Sequence, residues 1–180
     1  MILGYETAKS AYGSAYRLGK AVADGKIYRI EEGVYSDLPN PSELAIVSYK
    51  YPKAVVTMLS AFFYHNLTDE IPDLIDLATD NSASALLDPR IRQHYAPAGF
   101  LETGVVVMEQ NGVNFRIYDL ERTLIELLRN KANIPYDLYK EVIASYRNRT
   151  YSLDYQKFDE YLEGFPKARL IKRRLEEEVL

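Results

Sequence analysis

Cysteine is absent from the 180 residues, which excludes thiol nucleophiles, cysteine zinc sites, iron–sulfur clusters and disulfides, and fits a reducing cytoplasm. Histidine is scarce: His65 and His94 are the only two, too few for a three-histidine metal site. No apolar run approaches the ~18 residues of a membrane span. The N-terminus also lacks the charged-then-apolar order of a signal peptide. No membrane partner is therefore expected.

Catalytic motifs are missing as well. There is no Gly-x-Ser-x-Gly, no Gly-x-Gly-x-x-Gly and no Walker sequence. A metal-dependent nuclease needs strand-borne acids with a lysine two residues on. Asp76 and Glu109 are imaginable ligands, but the one Asp/Glu-x-Lys is Asp24-Gly-Lys26, interrupted by glycine. Gly13-Ser14 is followed by no acid until Asp24, which fails the nucleotidyltransferase pattern. Ser60 and His65 lie five apart on one expected helix and so face different ways. His65 is expected to pack or cap, and His94 has no partner that sequence names. The expectation is a non-enzyme with no catalytic residue, cofactor or metal.

What is present is an ordinary globular composition, 47% hydrophobic and 27% charged. The net charge of −4 is unevenly spread. Residues 1–30 hold five basic side chains against Glu6 and Asp24. Residues 54–110 hold only Arg90 and Arg92 against eight carboxylates. Only the basic head suits a polyanion.

Within that head, Tyr5–Ala11 predicts a short helix that turns at Tyr12-Gly13. Ser14 offers a capping hydroxyl to a second helix. Ala15, Leu18 and Val22 share its apolar face, and Tyr16, Arg17 and Lys20 lie opposite. Gly25 stops the helix. Lys26–Ile30 alternates like a strand, Glu31-Glu32-Gly33 turns, and Val34-Tyr35 returns. Helix, turn, helix and hairpin is the order of a winged helix-turn-helix, whose second helix enters the major groove while the hairpin lies along the backbone. The candidate DNA-binding residues are Ser14, Tyr16, Arg17, Lys20, Lys26 and Arg29. Tyr16, Arg17 and Lys20 are assigned to the groove, and Lys26 and Arg29 to the phosphates.

Beyond residue 38, Asn40-Pro41-Ser42-Glu43 starts a helix reaching about Tyr51. Ala54–Thr57, Leu74–Thr79, Phe100–Glu109 and Asn114–Tyr118 read as strands, and Met58–His65 as a helix. Asn111-Gly112 is the strongest hairpin signal. Asp119 caps a helix with Leu120, Leu124, Leu127 and Leu128 on one face. Three more helices are expected near 136–147, 153–162 and 166–179. Pairs such as Lys172–Glu176, Arg173–Glu177 and Arg174–Glu178 neutralise the basic tail. The fold class is α+β: a winged helix-turn-helix over 1–38, then an α+β domain over 39–180 ending in a helical bundle.

Several of these segments together resemble the AbiEi family of antitoxins from type IV toxin–antitoxin and abortive phage infection modules. They are Gly25-Lys-Ile-Tyr-Arg-Ile-Glu-Glu-Gly-Val-Tyr35, Tyr51-Pro-Lys-Ala-Val-Val56, Leu59-Ser-Ala61, His65-Asn-Leu-Thr-Asp69 with Ile71-Pro72, and Asp119-Leu-Glu-Arg-Thr-Leu124 with Glu126-Leu-Leu128. The resemblance implies a transcriptional autorepressor that binds operator DNA upstream of its own operon and counters a nucleotidyltransferase-like toxin, AbiEii, without a tight complex. Family members place a full helix ahead of the helix-turn-helix pair. Here only Met1–Gly4 precede Tyr5, so the helix from Ser42 is expected to complete the core. Asn66 stands where relatives often have glycine, and both tolerate a left-handed exit. The alternative reading is a protein-interaction module that uses the acidic middle and does not bind DNA.

Overall fold

The first strand, β1 (Ile2–Gly4), runs directly into α1 (Tyr5–Tyr12), which turns into α2 (Ala15–Ala23). Gly13 makes that turn at φ 85°, a left-handed conformation that its missing Cβ permits. A hairpin of β2 (Tyr28–Glu31) and β3 (Val34–Ser36) follows, and then α3 (Glu43–Lys50). The computed structural model describes residues 1–180. They divide into two units, 1–52 and 53–180.

In the first unit β1, β3 and β2 form an antiparallel sheet in that order, with Ile2 opposite Ser36 and Arg29 opposite Tyr35. Sequence gave no sign of β1, because three residues are too few to show an alternation. Ala8, Leu18, Ala21, Ile27 and Tyr35 form the core, flanked by Leu3, Tyr12 and Val22. The buried stripe of α2 is Leu18 and Ala21, while Ala15, expected inside, is exposed.

The division falls at 52/53, not 38/39, because α3 belongs to the first unit. Leu44, Ile46 and Val47 of α3 are buried, Lys50 pairs with Glu31 at 2.9 Å, and the Tyr49 hydroxyl lies against Gly4. The cap of α3 is Ser42, whose Oγ accepts the Ala45 N–H at 3.2 Å. Asn40 and Pro41 precede the helix.

The second unit is built on a mixed five-stranded sheet in the order β6-β5-β4-β8-β7. Its strands are β4 (Val55–Val56), β5 (Ile75–Thr79), β6 (Ile91–Tyr95), β7 (Val105–Gln110) and β8 (Val113–Tyr118). β4 is antiparallel to β5 and parallel to β8, β5 is parallel to β6, and β7 and β8 form a hairpin. Asn111 and Gly112 turn that hairpin with φ of 52° and 78°, the pair of positive values that matches strand twist. The strand expected from Phe100 starts only at Val105, because Phe100 is held in a turn by its N–H to Pro97 O at 3.0 Å. Edge strand β6, Ile-Arg-Gln-His-Tyr, carries too little apolar alternation to be read from sequence.

Helices α4 (Met58–Tyr64), α5 (Leu120–Arg129), α6 (Tyr136–Arg147), α7 (Tyr155–Tyr161) and α8 (Ala168–Glu178) complete the unit. Asp119 caps α5, accepting the Arg122 N–H at 2.9 Å. Instead of one buried face, residues 121–128 of α5 are all buried, Glu121, Arg122 and Glu126 included. Leu124, Ile125, Leu127 and Leu128 meet Phe62, Val142, Phe158 and Ile171 in the main core. Of the tail pairs, Arg173–Glu177 forms at 3.7 Å. Lys172 reaches Asp159 instead, at 2.7 Å, and Glu178 takes Lys131 and the Tyr139 hydroxyl, both at 2.8 Å. The fold is α+β, and no helix is long and apolar enough to cross a membrane.

Candidate nucleic-acid interface

α2 begins because Ser14 sits extended before it and its Oγ accepts the Arg17 N–H at 3.1 Å. That bond satisfies one of the free donors of the first turn. Ser14 is therefore committed to capping and only half exposed. The helix ends at Asp24, whose N–H bonds Lys20 O, and Gly25 leaves in the left-handed region at φ 68°.

Burying Leu18 and Ala21 turns the rest of α2 outward. Tyr16 is 82% exposed, and Arg17, Gly19, Lys20 and Ala23 are exposed beside it. Tyr16, Gly19, Lys20 and Ala23 follow at three- and four-residue spacing and so share one face. Arg17 and Lys20 have no carboxylate within ion-pair distance, and Arg29 on β2 has none either. Lys26 is the exception, with Nζ 3.9 Å from Asp24 Oδ2, and it stays largely exposed. None of the five side chains beyond Ser14 is tucked into the core. Tyr28, beside Arg29 on β2, is half-buried.

An unpaired cation in water keeps its full attraction for an external anion, whereas one held by a carboxylate must first break that pair. Arg17, Lys20 and Arg29 are of the first kind. Gly19 stands on the same face, and a glycine inside an amphipathic helix is the sequence signal that points to it. A Cβ built on Gly19 meets no atom within 4 Å, so nothing inside the molecule requires glycine there.

The residues considered for hydrolysis take other roles. His65 ends α4, and its Nε2–H donates to Tyr118 O at 2.7 Å. Burial holds its imidazole below the ordinary histidine range, against the opposing pull of that carbonyl. Ser60 is buried against β5, where its Oγ accepts the Asp76 N–H at 2.9 Å. His94 acquires the partner that sequence could not supply: its Nε2 lies 2.7 Å from Asp76 Oδ1. No group of three or more histidine or acidic side chains is placed to hold a metal ion. No protein-family model matches this sequence, and no curated protein matches it either.

Proposed function

We propose that the first unit is a winged helix-turn-helix that binds duplex DNA, with α2 in the major groove and the β2–β3 hairpin as the wing. The observation that carries this reading is the outward face of α2, where Arg17 and Lys20 stand exposed and free of carboxylates beside Tyr16. The chain order supports it: strand, two helices joined by a glycine turn, then a hairpin whose second strand pairs with the first strand. Such an arrangement presents one helix and one hairpin on a small rigid core. The helix α3 supplies the extra support that a two-helix head needs.

On this reading Tyr16, Arg17 and Lys20 meet the groove, Lys26 and Arg29 meet phosphates, and Ser14 fixes the start of the helix. Together with the resemblance to AbiEi antitoxins, this makes the protein a non-enzymatic cytoplasmic autorepressor. Its operator lies upstream of its own operon, and the toxin it counters is nucleotidyltransferase-like.

The test is a mobility-shift titration of the chain on DNA from upstream of its own reading frame. Affinity should fall with salt, at a log–log slope of roughly −2 for the phosphate contacts of Lys26 and Arg29 alone and roughly −3 to −4 where Arg17 and Lys20 neutralise phosphates as well. Arg17→Ala combined with Lys20→Ala should abolish the shift while the circular dichroism spectrum stays unchanged. A double variant that shifts the same DNA as well as wild type overturns the assignment of α2.

A further inference from the structure

The second unit contains a cavity of about 460 Å³ between α4, the start of α6, residues 70–73 and strands β5 and β6. One part of its lining is apolar, formed by Met58, Leu59, Phe62 and Leu138. The other part is polar. Asp76 pairs in register with Arg92, and His94 lies two residues further along β6, so all three share one face of the sheet. Glu70 and Asp73 stand on the connecting segment, and Asn130 and Asn133 follow α5.

The polar groups differ in what they have left to give. Asp76 is 1% exposed, and its carboxylate takes His94 at 2.7 Å and Arg92 at 3.6 Å. His94 is thereby committed to the buried acid, whereas Arg92, half-exposed and beyond hydrogen-bond distance, only offsets its charge, which leaves Glu70 and Asp73 in excess. Glu70 and Asp73 have no ion pair and no side-chain hydrogen bond. Asn130 spends its amide Nδ2 on the Glu126 carbonyl at 2.9 Å and on Glu126 Oε2 at 3.1 Å, leaving Oδ1 without a donor. The Asn133 side chain has no partner. The cavity thus offers its contents an excess of acceptors, two of them charged, beside an apolar surface.

A ligand that satisfies this inventory must bring several N–H donors and positive charge at one end and hydrocarbon at the other. A phosphate or carboxylate would meet Glu70 and Asp73 with the wrong sign.

We infer that this cavity takes a guanidinium or ammonium group carried on an apolar stem. The stem lies on Phe62 and its neighbours, and the head lies among Glu70, Asp73 and the two asparagines, where charged hydrogen bonds replace lost water. The same chemistry has two sources, a free organic cation or the arginine or lysine side chain of a polypeptide. Either gives the acidic stretch 54–110 a defined role, and neither depends on DNA binding by the first unit.

The experiment titrates two probes into the full chain by NMR, n-butylguanidinium and the blocked peptide acetyl-Gly-Gly-Arg-Gly-Gly-amide. The resonances followed are the side-chain amides of Asn130 and Asn133 and the imidazole of His94. Saturable shifts at these groups are expected. The double variant Glu70→Gln, Asp73→Asn should weaken them about tenfold or more, the usual effect of losing charged hydrogen bonds. Both side chains are exposed and partnerless, so the variant keeps its fold, which the rest of the spectrum reports. A peptide that binds about tenfold more tightly than the free cation supports a polypeptide source, and equal or weaker peptide binding supports a small-molecule source. The inference is overturned if neither probe shifts these resonances up to about 10 mM, if the double variant binds unchanged, or if n-butyl phosphate binds more tightly than n-butylguanidinium.

Discussion

The guanidinium of Arg122 lies 2.7 Å from the carboxylate of Glu126 one helical turn away on α5, with side-chain exposures of 0% and 4%. Arg122 also lies 4.5 Å from the Tyr118 ring centroid and 4.8 Å from that of Phe165, and it donates to Phe100 O at 2.9 Å. Arg129 holds the other oxygen of Glu126 at 2.7 Å. Removing one member of a buried pair strands the other, at a cost of about 3–5 kcal/mol. Because Arg129 remains, Arg122→Met should fall near the lower end, about 3 kcal/mol, measured by urea unfolding. Arg122→Met with Glu126→Leu removes both charges and should lose clearly less than the single variant. An equal or larger loss in the double variant would show that the pair itself, rather than the stranded acid, carries the stability.

Two buried tyrosines should respond oppositely to the loss of one oxygen. The Tyr146 hydroxyl donates to Leu120 O at 2.9 Å, whereas the Tyr118 hydroxyl is buried with no hydrogen-bond partner. Burial pushes the Tyr118 phenol far above the usual tyrosine range, with Arg122 opposing. A made hydrogen bond is worth about 1 kcal/mol net, while an unmade buried one is a penalty already incurred. Tyr146→Phe should therefore lower the urea midpoint by the equivalent of about 1 kcal/mol. Tyr118→Phe should leave it unchanged or raise it, with the unfolding slope constant in both.

These buried polar groups mark where sequence stops being informative. The caps at Ser14 and Asp119, the glycine exits at Gly13 and Gly25 and the Asn111-Gly112 hairpin are local chemistry, and each was legible from neighbouring residues. The burial of Arg122 and Glu126 is not legible in sequence, because an i,i+4 pair reads the same whether water or protein surrounds it. The strand β6 and the His94–Asp76 contact needed strands 18 residues apart to be aligned side by side, which no periodicity reports. The exposed face of α2 was half legible. Its cations followed from helical spacing, but the freedom of Arg17 and Lys20 from acids is a fact of the folded surface.

Gly19 offers a test that separates stability from recognition. Glycine inside a helix costs about 1 kcal/mol relative to alanine, and here an added Cβ would enter open space. Gly19→Ala should stabilise the first unit by about 0.5–1 kcal/mol. If α2 lies deep in a groove, the same methyl holds the helix away from the bases and weakens the operator shift. Higher stability with undiminished DNA affinity would place the contact on another face.

His65 should make the protein sensitive to mild acid. Its imidazole is half-buried and keeps a lowered pKa in the folded state, despite its bond to Tyr118 O. The unfolded chain has the ordinary histidine value near 6.5. Above that value both states are neutral, and His65 contributes no pH dependence. As pH falls below it, the unfolded state binds a proton that the folded state refuses, so stability declines with a slope of up to about 1.4 kcal/mol per pH unit. The decline ends once pH passes the lowered folded value. Urea midpoints measured between about pH 7.5 and 5.5 should fall for wild type. They should fall less for His65→Gln, which retains an amide N–H for the Tyr118 carbonyl but cannot titrate. Parallel curves for the two proteins would mean that the half-buried imidazole accepts its proton without opposing the fold.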